Sequence, residues 1–424
     1  VKLDKEKTES VNGITLHVVE TKKYKTNTLV LKMKSPLSRE VVTSRALLPY
    51  VLQSATEKYP TTTALRTHLD ELYGASLNVD LSKKGEYHII SIRVEIANET
   101  YLSDQTPLLE KALTLLSDIL LKPAQEDGAF VPSIVDQEKR SLKQRIQSVF
   151  DDKMRYASLR LVEEMCKNEP YSLHVNGIKD EVDTITPESL FNYYQKALRE
   201  DRVDLYVVGD VESESIKNSV SKLFTLGNRE PIVAVNNQVT IEKENEVIEE
   251  QDVKQGKLNV GYRTNVSYDD PGYYALQVLN GIFGGFSHSK LFINVREKAS
   301  LAYYAASRVE SHKGLLMVMS GVDAKNYDQA VTIIKEQMTA MKNGDFTDKE
   351  MEQTKAVLKN QLLETIDTSR GLIEVLYNDA MAKDPKPIDA WLQNVDEVTK
   401  EQIVEVAGKI QLDTIYFLKG KGEA

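Results

Sequence analysis

The side chains that could do chemistry are few, and most are badly spaced for it. The six histidines are His17, His68, His88, His174, His288 and His312. No two are close enough in sequence to form HExxH or HxxEH. The stretch His68-Leu69-Asp70-Glu71-Leu72 has the first His and the Glu of HxxEH, but Leu72 stands where the second His is needed. Zinc needs about three converging protein ligands, so His68 alone reads as a helix-surface histidine. A site assembled from dispersed groups, such as His68 with Glu71 or Glu138, is the remaining route to a metal. Cys166 is the single cysteine and sits between apolar positions in LVEEMCKNE, which suits a buried, inert thiol. There is no GxSxG elbow, and Gly284-Gly285 is not followed by the Lys-Ser/Thr pair of a phosphate loop.

The most informative stretch starts at Gly281 and reads GIFGGFSHSKLFINVREKASLAYYAAS. It predicts a glycine turn, a short amphipathic helix with a charged end, and a strand starting near Leu301. Arg296 brings a permanent charge and a fork of donors, and Tyr303 brings one O–H. Such groups can donate hydrogen bonds, but they supply no nucleophile. On a strand, Tyr303 and Tyr304 point to opposite faces, so one should face open space and the other the core. The glycines of Phe283-Gly284-Gly285-Phe286-Ser287-His288 predict a mobile or tightly turned loop beside them.

Repeated elements must position these groups. DTITPESLFNYYQKAL from Asp183 and DEVTKEQIVEVAGKI from Asp396 both read as a helix with a Thr cap and an acidic first turn. Each is followed by a short apolar strand, VDLYVVGDV from Val203 and DTIYFLKGKG from Asp413. Upstream, each half carries two long helical stretches: 106–121 and 132–168, then 326–342 and 347–382. The order of elements points to a duplicated domain. Residues 14–20 and 26–34 alternate as a half-buried antiparallel pair would, and 76–81 and 86–95 form a second pair. Strands are also expected over 256–264, 301–310 and 314–322. Strands and helices mix without strict βαβ alternation, so each half is α+β, an antiparallel-rich sheet with helices on one face. The expected division is 1–228, a mostly polar linker over 229–245, and 246–424.

With 424 residues, 41% hydrophobic and 28% charged, the chain reads as two globular halves. No stretch approaches the roughly 18 apolar residues of a membrane span. A formal charge of −10 disfavours nucleic acid and anionic lipid as partners. VKLDKEKTES, the first ten residues, carries no basic-then-apolar leader, and one cysteine suits a reducing compartment. The expected location is cytoplasmic.

From Gly281 onward the chain resembles the second-half signature of the M16 (pitrilysin-like) peptidases, the family of mitochondrial processing peptidase. There a glycine-containing loop leads to a helix ending in Arg-Glu, and a Leu-Ala-Tyr strand start follows. Arg296-Glu297 and Leu301-Ala302-Tyr303 match at the same spacing. TTTALRTHLDELYGASLNV from Thr61 resembles the family's helix-turn-strand after the metal helix, and the likeness spans essentially the whole chain. It implies a duplicated two-domain, clamshell-forming LuxS/mitochondrial-processing-peptidase-like metallohydrolase fold.

The departure lies in the helix expected over 44–59. Active members carry HxxEH there, and the metal-bearing positions fall around Leu47 to Leu52, which offer neither imidazole nor carboxylate. Glu138 resembles the family's third ligand. Alone it should form a salt bridge instead, with Lys139, Arg140 or another helix. The resemblance therefore implies a metal-free subunit with no cofactor of its own. It would pair, as a heterodimer, with an HxxEH-bearing homologue that holds zinc. Arg296 and Tyr303 would then act on the peptide in trans, with Gly284, Gly285, Phe286 and Ser287 as substrate contacts. A homodimer, a non-catalytic scaffold or peptide-binding protein, and an independent zinc peptidase with dispersed ligands are the other readings.

Overall fold

The computed structural model describes residues 5–103, 106–227, 229–234, 239–383 and 385–421. Its strands, in chain order, are β1 Glu6–Val11, β2 Ile14–Glu20, β3 Thr26–Pro36, β4 Ser76–Lys84, β5 Tyr87–Ala97, β6 Gln125–Glu126, β7 Ala129–Phe130, β8 Arg202–Gly209, β9 Asn245–Gln251, β10 Gly256–Arg263, β11 Ala302–Glu310, β12 Leu315–Val322 and β13 Gln411–Gly420. The α-helices of the first half are α1 Val42–Leu52, α2 Thr62–Glu71, α3 Leu108–Leu121, α4 Pro132–Asp151, α5 Lys153–Met165, α6 Pro187–Glu200 and α7 Ser213–Leu223. Those of the second half are α8 Tyr273–Asn280, α9 Tyr327–Asn343, α10 Asp348–Thr365, α11 Ser369–Ala380, α12 Ile388–Asp396 and α13 Lys400–Lys409.

The first unit holds a sheet of order β1-β2-β8-β3-β5-β4, and the second a sheet of order β11-β12-β10-β13-β9. Reversing the second list shows the duplication. In each unit the late strand, β8 or β13, lies between an early strand it parallels and one it opposes. By that correspondence β11 stands in its sheet where β4 stands in the other, at an edge. β2 and β3 are thus not the antiparallel pair their alternation suggests. β8, buried from Val203 to Gly209, inserts between them, because a strand of nearly continuous apolar residues has to be central. β4 and β5 do pair antiparallel.

Both cap-bearing repeats form as expected. Thr186 and Ser189 make a capping box at the start of α6, and Thr399 and Gln402 make one at α13. Each box satisfies donors that a helix start leaves unpaired, and that fixes where the helix begins. Each unit has its own apolar core, the first built around Leu29, Ile92, Leu116 and Val207, the second around Val260, Leu279, Val318 and Phe417.

The chain does not follow a purely linear division. The first unit comprises Val1–Gln147, Leu173–Val235 and Ile366–Val375. The second comprises Ser148–Ser172, Asn236–Thr365 and Leu376–Ala424. Residues 235–238 of the expected linker lie outside the described residues. Its last residue, Asn245, opens strand β9, which carries the acidic run after it.

Each unit therefore receives a segment from the other half of the sequence. In the first unit Lys32, on β3 and only 1% exposed, donates to Glu374 at 2.6 Å. Nearby, Tyr24 donates to the Ile366 carbonyl, and the Thr28 and Ser369 hydroxyls meet at 2.7 Å. In the second unit α5 lies on β10 and β13. A Cβ on Gly261 would come within 2.6 Å of Met165 Sδ, so this close approach requires glycine. Arg263 reaches Glu169 at 2.6 Å and Asp413 at 2.7 Å.

These exchanges interrupt the two long helices expected over 132–168 and 347–382. The first breaks at Asp152, whose carboxylate accepts from the Met154 and Arg155 amides and starts α5. The second breaks before Ser369, where the Thr368 hydroxyl accepts from the Gly371 amide.

Candidate functional site

The first region of interest is built on α1. This helix starts without a side-chain cap and carries Pro49 in its interior, which removes one helical hydrogen bond. Burial holds it instead, since nearly every residue from Val42 to Leu52 is enclosed. Arg45, 1% exposed, fixes its register. Its guanidinium donates to Asp201 at 2.7 Å, the Tyr193 hydroxyl at 3.0 Å, and the carbonyls of Met33 and His88. The helix ends at Leu52 rather than at 59. Beyond it, the Thr56 amide donates to the Tyr59 carbonyl, and Thr56 bridges to Pro123.

Of the α1 positions around Leu47 to Leu52, Tyr50 is the half-buried one. Its ring lies under the guanidinium of Arg145, whose Cζ is 3.5 Å from the ring centroid. Arg145 is two helical turns beyond Glu138 on α4, and its Nη2 is 3.9 Å from Glu138 Oε2. The other Glu138 oxygen accepts from the Ser54 hydroxyl at 3.2 Å, and that hydroxyl also approaches the Tyr50 carbonyl at 2.8 Å. So the salt-bridge partner of Glu138 is Arg145, neither Lys139 nor Arg140. Lys139 points away and donates to the carbonyls of Asp183 and Ile185. On a helix, i and i+7 share a face, whereas i+1 and i+2 do not.

Burial sets the electrostatics here. It raises the Glu138 carboxyl above its ordinary value, against the pull of Ser54 and Arg145. Burial also lowers the Arg145 guanidinium and raises the Tyr50 phenol.

These residues do not fit a zinc ion. The ion would need imidazole, thiolate or carboxylate donors from α1, which supplies leucine, proline, tyrosine and valine. It would also sit against a guanidinium that repels it. Among the described residues no group of three or more His, Cys, Asp or Glu side chains could hold a metal. His68 stacks on Tyr59 with ring centroids 4.2 Å apart and lies 3.5 Å from Glu71. Cys166 is buried.

The second region lies in the other unit. Gly281–Gly285 and Phe292–Lys298 are π-helical turns, a distortion frequent at functional sites. The glycines are thus not a mobile loop. Gly284 is buried, and a Cβ there would lie 2.5 Å from Ser307 Oγ and 2.7 Å from Leu291 Cδ1. It is glycine for packing. Ser287 is exposed and Phe286 half-buried, with the Phe286 ring stacked on His288. Arg296 is exposed, its guanidinium 4.5 Å from the Phe292 ring centroid.

Ser300, at φ 51°, turns the chain from helix into β11. The register of β11 on β12 shifts between Ala302 and Ala305, which is where the two tyrosines sit. They do face opposite ways. Tyr303 is 80% exposed. Tyr304 turns inward against Gly321, and its buried hydroxyl meets no hydrogen-bond partner. Burial pushes that phenol up to about 12. Core packing of Tyr303 is ruled out.

Sequence reasoning missed Arg145 and Tyr50. The spacing of Glu138 and Arg145 on one helix face was a visible signal for the first pair. The stacking on Tyr50 had none, because it joins two helices far apart in sequence.

A duplicated α+β fold, with a metal helix stripped of donors in one unit and an exposed Arg and Tyr in the other, is a metallopeptidase-type architecture. The chain belongs to the M16 peptidase family. Residues 184–358 match the family described as Peptidase M16 inactive domain. The chain is 59% identical, over 409 residues and 96% of both proteins, to the Bacillus subtilis (strain 168) protein named "Probable inactive metalloprotease YmfF". A conserved protein from Enterococcus faecalis V583 has the same fold at TM-score 0.92 and 36% identity, over 99% of both chains. A peptidase M16 inactive domain from Pseudomonas fluorescens matches at TM-score 0.79 and 19% identity over 98% of both chains, a likeness of fold alone. Among the described residues no helix is long and apolar enough to cross a membrane.

Proposed function

We propose that this chain is a catalytically incomplete M16 subunit that binds an extended peptide and pairs with an HxxEH-bearing homologue. The partner holds the zinc and hydrolyses the peptide. Arg296 and Tyr303 orient the peptide and stabilise charge on the carbonyl under attack, with Phe286 and Ser287 as neighbouring substrate contacts. Gly284 and Gly285 shape that stretch from within. The observation that carries this reading is the contrast between an 80% exposed Tyr303 close in sequence to an exposed Arg296 and an α1 without metal donors. An exposed Tyr on an edge strand has no structural task of its own. The single cysteine suits work in the cytoplasm.

The test mixes the purified chain with an HxxEH homologue from the same cell and follows cleavage of a fluorogenic peptide. Cleavage should need both proteins and drop by roughly 100-fold with Arg296→Ala, the scale of losing one oxyanion donor. Full activity of the homologue alone, unchanged by either Arg296→Ala or Tyr303→Phe in this chain, leaves the scaffold reading in its place.

A further inference from the structure

We infer that β9 is a docking edge, which takes an extended, basic segment of a second protein as an added antiparallel strand. The inference goes beyond the proposed function, because β9 and β11, the strand of Tyr303, lie at opposite edges of their sheet.

The two units differ at this edge. β9 stands in its sheet where β2 stands in the other, parallel to the late strand. In the first unit that edge is covered. β1 pairs antiparallel with β2, and α7 packs against α3, β1 and β2 with Ile216 and Val220 buried. Among the described residues of the second unit, β9 pairs with β13 alone. A cavity of about 540 Å³ opens between β9 and α9, the helix that follows β12 as α3 follows β5. Its walls include Glu246, Tyr327, Val331 and Ile415. The place that β1 and α7 fill in one unit is therefore open in the other.

An outermost strand presents unpaired N–H and C=O groups along its free side, and an extended chain can pair with them. Charge then selects the occupant. Asn245, Glu246, Ile248 and Glu250 are exposed, Ile248 at 52%. Residues 242–252, EKENEVIEEQD, hold six carboxylates and one lysine. Lys335, Arg160 and Lys419 pair with Glu244, Glu249 and Glu250, and the run still keeps an excess of negative charge. A second copy does not fit. Antiparallel pairing of two β9 strands centred on Ile248 sets Glu246 opposite Glu250 at both ends, and like charges directly opposite destabilise a sheet. A strand with Lys or Arg at those two places and an apolar residue between them makes the same pairs attractive and gives Ile248 an apolar neighbour. The first unit uses this chemistry at the matching edge, where Lys7 of β1 donates to Glu20 of β2 at 2.8 Å.

The test uses the full chain and two short dye-labelled peptides, one with a Lys-Thr-Val-Thr-Lys centre and one with Glu in place of both lysines. Fluorescence anisotropy should show the basic peptide binding roughly tenfold more tightly, since two cross-strand pairs turn from attraction to repulsion. Glu246→Lys combined with Glu250→Lys should invert that order. Both side chains are exposed, and circular dichroism checks that the variant is folded. N-methylation of one alternate set of peptide amides should abolish binding, and N-methylation of the other set should leave it, as strand pairing requires. Equal binding of the two peptides, binding of neither, an order that survives the charge reversal, or equal sensitivity to both N-methylated sets overturns the inference. A dimer of the native chain that the charge reversal disrupts puts a second copy on the edge and also overturns it. Each of these results leaves the trans role of Arg296 and Tyr303 standing, because cleavage alone reads that role.

Discussion

The two regions stand on matching sheets and treat their tyrosines in opposite ways. In the first unit Tyr50 lies half-buried under a guanidinium and beside a carboxyl raised by burial. In the second, Tyr303 projects into open space from an edge strand while Tyr304 fills the inner face behind it. One region covers its phenol ring with a permanent cation. The other has kept its donors outward. A duplicated fold can therefore lose metal chemistry in one half without collapsing the other, because each unit has its own core.

The sharpest way to break this contrast is Arg45→Ala. That change leaves Asp201 buried without its cation and should cost about 3–5 kcal/mol in urea unfolding. A loss under about 1 kcal/mol would show that burial alone positions α1.

Acid should act on the first unit next. Burial, helped by Lys83, lowers His174 from 6.5 to about 4, and His88 is displaced the same way. Each is neutral in the fold and takes up protons more readily when unfolded. Their contribution is complete above pH 6.5 and is lost as pH falls toward the folded value. For His174 this amounts to about 3 kcal/mol. His17 has the opposite sign. Burial depresses it, but Asp204 and Glu6 outweigh that and raise it, so its contribution is present below pH 6.5 and fades as pH rises. The clean comparison is melting of His174→Gln against the native chain between pH 7 and 4.5. Parallel curves would remove His174 from the account.

Smaller effects separate the two regions further. Arg145→Met strands the partly buried Glu138 and should cost about 1–2 kcal/mol, most of it recovered by adding Glu138→Gln. Arg296→Ala and Tyr303→Phe should shift stability by less than about 0.5 kcal/mol, because both side chains already face solvent. A larger loss from either would mean a structural task for the open region and would weaken its reading as a substrate surface.

Much of this was written locally. The capping residues Thr186 and Thr399, the Arg296-to-Tyr303 spacing and the opposite facing of Tyr303 and Tyr304 follow from caps and strand periodicity within a few residues. Two features were not legible, and a third, the helix partner of Glu138, was legible in its spacing but missed. Gly284 looks like a loop glycine until Ser307 and Leu291 close around it. β8 separates β2 from β3, though nothing in their own alternation announces it. Glu138 pairs two turns along its helix rather than with its neighbours.

The sequence by itself determined the missing metal chemistry, since no arrangement of leucine, proline, tyrosine and valine side chains on α1 can supply zinc donors. Only the tertiary structure decided what stands there instead, and which segments each unit borrows. Lys32 finds Glu374 across 342 residues. Short-range propensity cannot encode such a pair. It exists because a charge taken out of water must meet its opposite once the whole chain has packed.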